Sequence, residues 1–185
     1  TIMPNLDHAL SKYKREIEAQ IKRIFYVYSD ACAQHNNHPN VSFNSLSKTI
    51  QEAKSLAFRD VKNHFVRNEN SYYHYFDMRE DQVEILKRIK DHIEHIHADD
   101  VMSARVSHLF KEMAENVNEN NYTALRLHTL YQIRLEIEQL PLPTTHEELH
   151  TRSSMIQILY DTEEYLTIKS KFGSLKMPVS YTHLR

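Results

Sequence analysis

The chain has one glycine, Gly173, one cysteine, Cys32, and no tryptophan in 185 residues. Phosphate-cradling loops, dinucleotide turns and nucleophile elbows all need glycine, for positive φ or for close backbone approach to a ligand. A chain with a single glycine near its end builds none of them. The lone cysteine excludes an internal disulfide and fits a reducing compartment. The longest apolar run is only Ile24 to Tyr28, whereas a bilayer span needs about 20 apolar residues. No signal-peptide pattern follows Thr1, and the chain reads as a piece of something longer. The net charge of −2 gives none of the basic footprint of a nucleic-acid partner.

What is present is helical periodicity. Ile17, Ile21, Ile24, Phe25, Tyr28 and Cys32 recur at spacings of three and four, which predicts a first helix from about Asn5 to His35. The loop His35 to Asn40 stops it. A second helix starts near Ser42 or Phe43 and carries Leu46, Ile50, Ala53, Leu56, Ala57, Val61 and Phe65. A break is expected at Asn68-Glu69-Asn70. A third helix, Ser71 to Ile96, then carries Tyr75, Met78, Gln82, Ile85, Leu86, Ile89, Ile93 and Ile96.

Asp99 or Asp100 serves as N-cap of a shorter helix with Val106, Leu109, Phe110, Met113 and Val117 inward. Asn116 to Asn121 reads as a turn. Another stripe, Leu127, Leu130, Ile133, Ile137 and Leu140, is closed by Pro141-Leu142-Pro143. Thr145-His146-Glu147-Glu148 is a capping box. The last helix carries Leu149, Met155, Ile156, Leu159 and Leu166, and should end at Phe172-Gly173 with glycine as its C′ residue. The expected fold is all-α, a four-helix-bundle-like arrangement of long antiparallel helices in five to six segments. Ile21, Phe25, Ile85, Ile89, Ile133, Ile137, Ile156 and Leu159 are its expected core. The domain is residues 1–176. Residues 177–185 continue no pattern, and Val179 to Arg185 resembles translated sequencing-adapter read-through.

Four patterns could carry chemistry. His146-Glu147-Glu148-Leu149-His150 matches the zincin spelling H-E-x-x-H. It occupies a helix's first turn, and Glu163 and Glu164 lie roughly 20 Å further along the same axis, too far to complete a zinc shell. The pairs Glu94/His97 and Glu147/His150 match the E-x-x-H spacing of di-iron bundles, but they fall at helix ends, outside the apolar stripes. His92, His95 and His97 cluster with acids at a helix end, a solvated arrangement that could bind metal weakly or sense pH. Tyr72, Tyr73, Tyr75 and Phe76 form core and helix-contact surface, or else stack on an aromatic ligand. The first helix is basic through Lys12, Lys14, Arg15, Lys22 and Arg23. That is ordinary for an exposed face and also suits a segment beside anionic lipid. No catalytic or metal-ligating residue and no cofactor is expected.

Two stretches together resemble the aromatic acid exporter C-terminal domain family. Tyr72 to Leu86, YYHYFDMREDQVEIL, is similar to the family's Y-F-x-M-R-x-x-Q-x-x-I-L segment. Leu140 to Arg152, LPLPTTHEELHTR, is similar to its L-P-x-T-R-E-E-F-E-x-R stretch, followed by Leu159, Tyr165-Leu166, Lys169 and Phe172. Pro4-Asn5-Leu6-Asp7 is similar to the exit from the family's last membrane helix, so the resemblance covers nearly all of residues 4 to 173. His146 stands where the family tends to have arginine, Leu149 where it has phenylalanine, and His150 where it has glutamate. The H-E-x-x-H spelling therefore arises at positions with no metal role in the family.

The resemblance implies the C-terminal helical domain of an exporter-like bacterial membrane protein. That domain would lie on the cytoplasmic face of the cell membrane, with an assembly or regulatory role and no catalysis of its own. Its first partner would be the missing N-terminal membrane half of the same chain. A homo-oligomer and an aromatic carboxylate ligand are compatible with the resemblance, and nucleic acid is not expected. The alternatives are a metal-binding helical bundle, di-iron or zinc, and a stand-alone interaction module. Candidate structural or ligand residues are Arg79, Gln82, Glu148, Arg152, Tyr72 and Tyr75. The two arginines are expected to fix helix register through carboxylates or exposed carbonyls, with a local Glu148–Arg152 pair. The rival is that they anchor an aromatic carboxylate whose ring stacks on Tyr72 to Phe76.

Overall fold

The computed structural model describes residues 2–63, 67–97, 100–118 and 123–176. Among them are six helices and no strand: α1 (Ile2–Ala33), α2 (Asn44–Asn63), α3 (Arg67–Glu94), α4 (Ser103–Glu115), α5 (Thr123–Glu138) and α6 (His146–Lys176). Among the described residues proline is confined to helix ends and loops, as its missing N–H requires. Pro4 sits in the first turn of α1, where no intrahelical donor is lost.

α1, α3, α4 and α6 form the centre. α4 runs antiparallel along α1, with Ser107 beside Ser29 and Phe110 beside Phe25. α6 runs antiparallel along α3, with Tyr165 beside Arg79 and Phe172 beside Tyr75. α1 and α3 are parallel, since Glu18 meets Tyr75 and Tyr28 meets Leu86. α2 lies outside against α1 and α3, and α5 outside against α4 and α6. The middle of the core is aromatic. Phe25 stacks on Phe110 at 6.1 Å and meets Tyr165 edge-on at 5.1 Å. Tyr28 donates its hydroxyl hydrogen to the Leu86 carbonyl at 2.6 Å. Ser29 and Ser107 each donate to the other's carbonyl at 2.8 Å, which brings α1 and α4 close together.

Seven of the eight expected core residues are buried, but Ile156 is only half-buried and Ile158 takes the inward place. Leu149, expected on the inner stripe of the last helix, is 51% exposed because the first turn of α6 projects beyond the bundle. Asn68 to Asn70 lie within the first turn of α3, so the expected break there is absent. The connection is at 64–66, outside the described residues. α6 also continues past Gly173 to Lys176, and Gly173 has no positive φ, so it is not a C′ cap. The one described residue with positive φ is His35, at 53°, just after α1. The Asn36 N–H bonds back to the Ala31 carbonyl there, so histidine occupies the left-handed position usually given to glycine. Asp99, the second half of the Asn116–Asn121 turn, Phe65 and the 177–185 tail lie outside the described residues, while 116–118 do form a turn.

Candidate functional site

Tyr75, Arg79, Gln82 and Leu86 recur every three to four residues on α3 and therefore share one inward stripe. All four are buried, and Arg79 is 1% exposed. Four of the five N–H groups of its guanidinium are used. Nε donates to the Tyr75 hydroxyl at 2.9 Å, Nη1 to Gln82 Oε1 at 2.9 Å and to the Tyr165 hydroxyl at 3.2 Å, and Nη2 to the Val117 carbonyl at 3.2 Å. Tyr75 passes its own proton toward a carboxylate, donating to Glu18 Oε1 on α1 at 2.8 Å. Gln82 Nε2 donates to the Tyr165 carbonyl at 3.1 Å. The cluster thus joins α1, α3, α6 and the end of α4.

A buried charge is costly unless paired and hydrogen-bonded. Here no carboxylate contacts the guanidinium directly. Burial opposes the Arg79 charge, but Tyr75, Tyr165 and Glu18 outweigh it and hold its pKa above the usual arginine range. Burial likewise pushes the phenols of Tyr75 and Tyr165 up, although Arg79 pulls each the other way. The Val117 carbonyl lies just past the C-terminus of α4, where the helix dipole is negative. It also accepts from Lys169 Nζ at 3.1 Å, so two cations converge on this helix end. Tyr72 is half-buried and stacks on buried Phe76 at 6.0 Å. Asp77 and Glu80, on the flank of the same stretch, turn to Lys54 of α2 at 3.0 and 3.3 Å.

The second stretch folds at the rim. Thr145 Oγ1 accepts from the Glu148 N–H at 3.1 Å. Glu148 reaches back one residue further than a capping box requires, and accepts from the Thr144 N–H at 3.0 Å and the Thr144 hydroxyl at 3.1 Å. The Thr144 N–H bond is the main reason that the Glu148 carboxyl sits below its usual pKa. Arg152 does not join Glu148. Its Nε donates to Asp100 Oδ2 at 3.0 Å and its Nη1 to the Pro141 carbonyl at 3.5 Å. Asp100 Oδ1 accepts from the Met102 N–H at 2.8 Å, at the entry to α4. Arg152 therefore ties α6 to the loop before it and to the start of α4. The two arginines are not brought together. Tyr165, which touches Arg79, stands roughly 20 Å along α6 from Arg152.

The other candidates are dispersed. His146, Glu147 and His150 are exposed. Glu94 pairs with Lys90 at 3.6 Å, and His97 Nδ1 lies 3.1 Å from Asn37. Among the described residues no group of three His, Cys, Asp or Glu is placed to hold a metal ion. His92 Nε2 lies 3.3 Å from Asp161 Oδ2, while Asp161 itself is buried and its carboxyl is pushed up by that burial. Cys32 is buried and its thiol is pushed up to about 12 by desolvation, which leaves it a poor nucleophile. An open groove of about 530 Å³ lies between α1 and the start of α2, lined by Ala19, Arg23, Ile24, Val27, Val41 and Ser45 among others.

Sequence reasoning passed over Glu18 and gave Tyr165 and Asp100 no part in these clusters. Met102, not the expected Asp100, holds the N-cap position of α4, and Asp100 accepts from its N–H instead. A glutamate between Ile17 and Ile21, at the edge of an apolar stripe, was the available signal for Glu18. Nothing local pointed to the Val117 carbonyl.

The model of the family described as "Putative aromatic acid exporter C-terminal domain" matches residues 7–170. The uncharacterized protein YqjA of Bacillus subtilis (strain 168) is 34% identical over 175 residues, which are 94% of this chain and 54% of that protein. The chain thus spans about half the length of the curated relative it matches. A crystal structure described as a putative membrane protein from Clostridium difficile 630 superposes with a TM-score of 0.74 at 12% identity, over 88% of this chain and 98% of that one. This second likeness concerns the fold alone.

Proposed function

We infer the role of this chain from its family, for it belongs to the putative aromatic acid exporter C-terminal domain family. The role we propose is that of a non-catalytic helical domain of an exporter-like bacterial membrane protein, held on the cytoplasmic face of the membrane. It assembles or regulates a membrane half that lies outside these residues. No helix among the described residues is long and apolar enough to cross a membrane; in this reading transport belongs to that other part. One observation carries the reading. The arginine of the family-like stretch spends its donors on Tyr75, Gln82, Tyr165 and Val117, all within the fold. A motif so used specifies a rigid scaffold rather than a reaction centre. Deleting the domain from the full-length protein tests this: oligomer assembly or efflux control should fail while the membrane half still inserts. Unchanged assembly and unchanged efflux would overturn it.

A second reading, an aromatic carboxylate ligand, draws on the groove between α1 and α2 rather than on Tyr72 to Phe76. The exposed Arg23 stands there beside Ile24, Val27 and Val41, a cation next to apolar side chains, with Glu16 and Gln20 also on the lining. Millimolar benzoate-type acids should then raise the melting temperature by mass action, and Arg23→Ala should abolish that rise while Arg79→Lys keeps it.

A further inference from the structure

α2 and α5 occupy equivalent places, each laid on the outside against two central helices. Their solvent faces differ. α2 exposes Lys48, Gln51, Glu52, Ser55 and Arg59 around a single large apolar side chain, Phe58, which is 55% exposed and lies against the Tyr73 ring. α5 exposes Ala124, Leu125, His128, Tyr131, Gln132, Leu135 and Glu138. Its other solvent-facing charges, Glu136 and Arg134, are each paired within the fold, with Arg105 and Glu163. Leu125 is 49% exposed and Leu135 is 55% exposed. The face continues onto α6 through Arg134, whose guanidinium lies 4.5 Å from the Tyr160 ring and 5.8 Å from the Tyr131 ring, with Glu163 as its ion-pair partner. Uncharged leucine, tyrosine and a ring-stacked arginine are what protein interfaces concentrate at their centres, and charge is what they deplete.

We propose that this α5 face, Leu125, Tyr131, Leu135 and Tyr160, is where a second copy of the chain docks, α5 against α5 and antiparallel about a two-fold axis. Charge complementarity supports that occupant. A two-fold contact sets a surface against itself, so any net charge on it meets its like. The outer side of α1 between Lys12 and Arg23, with Lys12, Arg15, Lys22 and Arg23 exposed against the single exposed acid Glu16, keeps a net positive charge that would meet its like. The α5 face does not. The antiparallel order also places Glu138, at one end, toward the partner's α5 N-terminus. That end has no acidic residue in its first turn, and its dipole is positive. α5 is about 24 Å long, so the contact falls at the small end of the interface range, with an expected dissociation constant in roughly the micromolar range.

Sedimentation velocity on residues 1–185, from about 1 to 500 μM, tests it. The wild type should shift from monomer to dimer, and Leu135→Glu and Tyr131→Glu should each weaken the association more than about tenfold. Glu52→Lys on α2 should leave it unchanged, and circular dichroism checks that each variant folds. Gln132→Cys should cross-link to dimer with a short bismaleimide and Glu52→Cys should not, the buried Cys32 staying silent in both. A wild type that remains monomeric throughout, or a dimer indifferent to the α5 changes, overturns the proposal. So does α5 protection that appears only when the membrane half is present.

Discussion

Arg79 lies inside the bundle and reaches a carboxylate only through Tyr75, whereas Arg152 lies at the rim and closes directly on Asp100. Both come from stretches that mark the family. The first arginine holds four elements together at mid-height with neutral acceptors, so its surroundings are committed to that one residue. The second fastens a helix end with a salt bridge whose carboxylate is buried and whose arginine is 18% exposed. The same residue type is thus a core element in one place and a clasp in the other.

The sharpest way to break this comparison is truncation. Arg79→Ala should cost about 3–5 kcal/mol, because it leaves a cavity and strands the Tyr75, Gln82 and Tyr165 acceptors away from water. Urea denaturation measures it, and Arg79→Met, which fills the space without charge, should recover part of the loss. Arg152→Ala should cost about 1.5–3 kcal/mol, the range for a hydrogen bond to a charged group. In a double-mutant cycle with Asp100→Asn, the coupling should exceed about 0.5 kcal/mol. Equal losses at the two arginines would erase the distinction between core and clasp.

The two regions should also part company with pH. Tyr75 and Tyr165 have folded pKa values above the ordinary tyrosine value. Their stabilisation is complete below pH about 10 and is lost as pH rises through the folded values, at up to about 1.4 kcal/mol per pH unit for each proton released. Glu148 has the opposite sign. Its folded pKa lies below the ordinary glutamate value, so its contribution is present at neutral pH and is lost as pH falls through that folded value. Alkali should loosen the Arg79 region first, and acid should fray the start of α6 first. Residue-resolved NMR titration from both sides would show whether the order holds. The smallest expected effect lies outside both regions. Gly173 is inside α6, with a helical backbone and nothing within 4 Å of an added Cβ. Gly173→Ala should stabilise by about 0.5–1 kcal/mol, raising the melting temperature without altering either arginine's cycle.

Periodicity made most of the fold legible, since Ile17 to Cys32 and Tyr75 to Ile93 repeat at helical spacing and are buried almost throughout. It misplaced ends. Gly173 looked like a helix stop, yet a long helix with a packed Phe172 tolerates one glycine. His35 instead took the left-handed position, where only local hydrogen bonding distinguishes it. Ile156 and Ile158 exchanged roles because a stripe read from one helix does not say which neighbour it faces. The site was legible as a set of residue types, Tyr75, Arg79 and Gln82, but their partners were not. Glu18, Tyr165 and the Val117 carbonyl lie 38 to 86 residues from the groups they meet on α3, and no spacing rule spans such separations.

The reach of the Arg79 cluster has a consequence for how the bundle opens. Peeling α6 away would remove Tyr165 from the guanidinium, and lifting α1 would remove Glu18 from Tyr75. Each partial opening strands a charge or its relay in a poorly solvated site, so each costs nearly as much as undoing the whole. Amide protons at mid-height on α1, α3 and α6 should therefore exchange with solvent as one cooperative unit, at the rate of global unfolding. Those of α2, α5 and the first turn of α6 should be released earlier through local excursions.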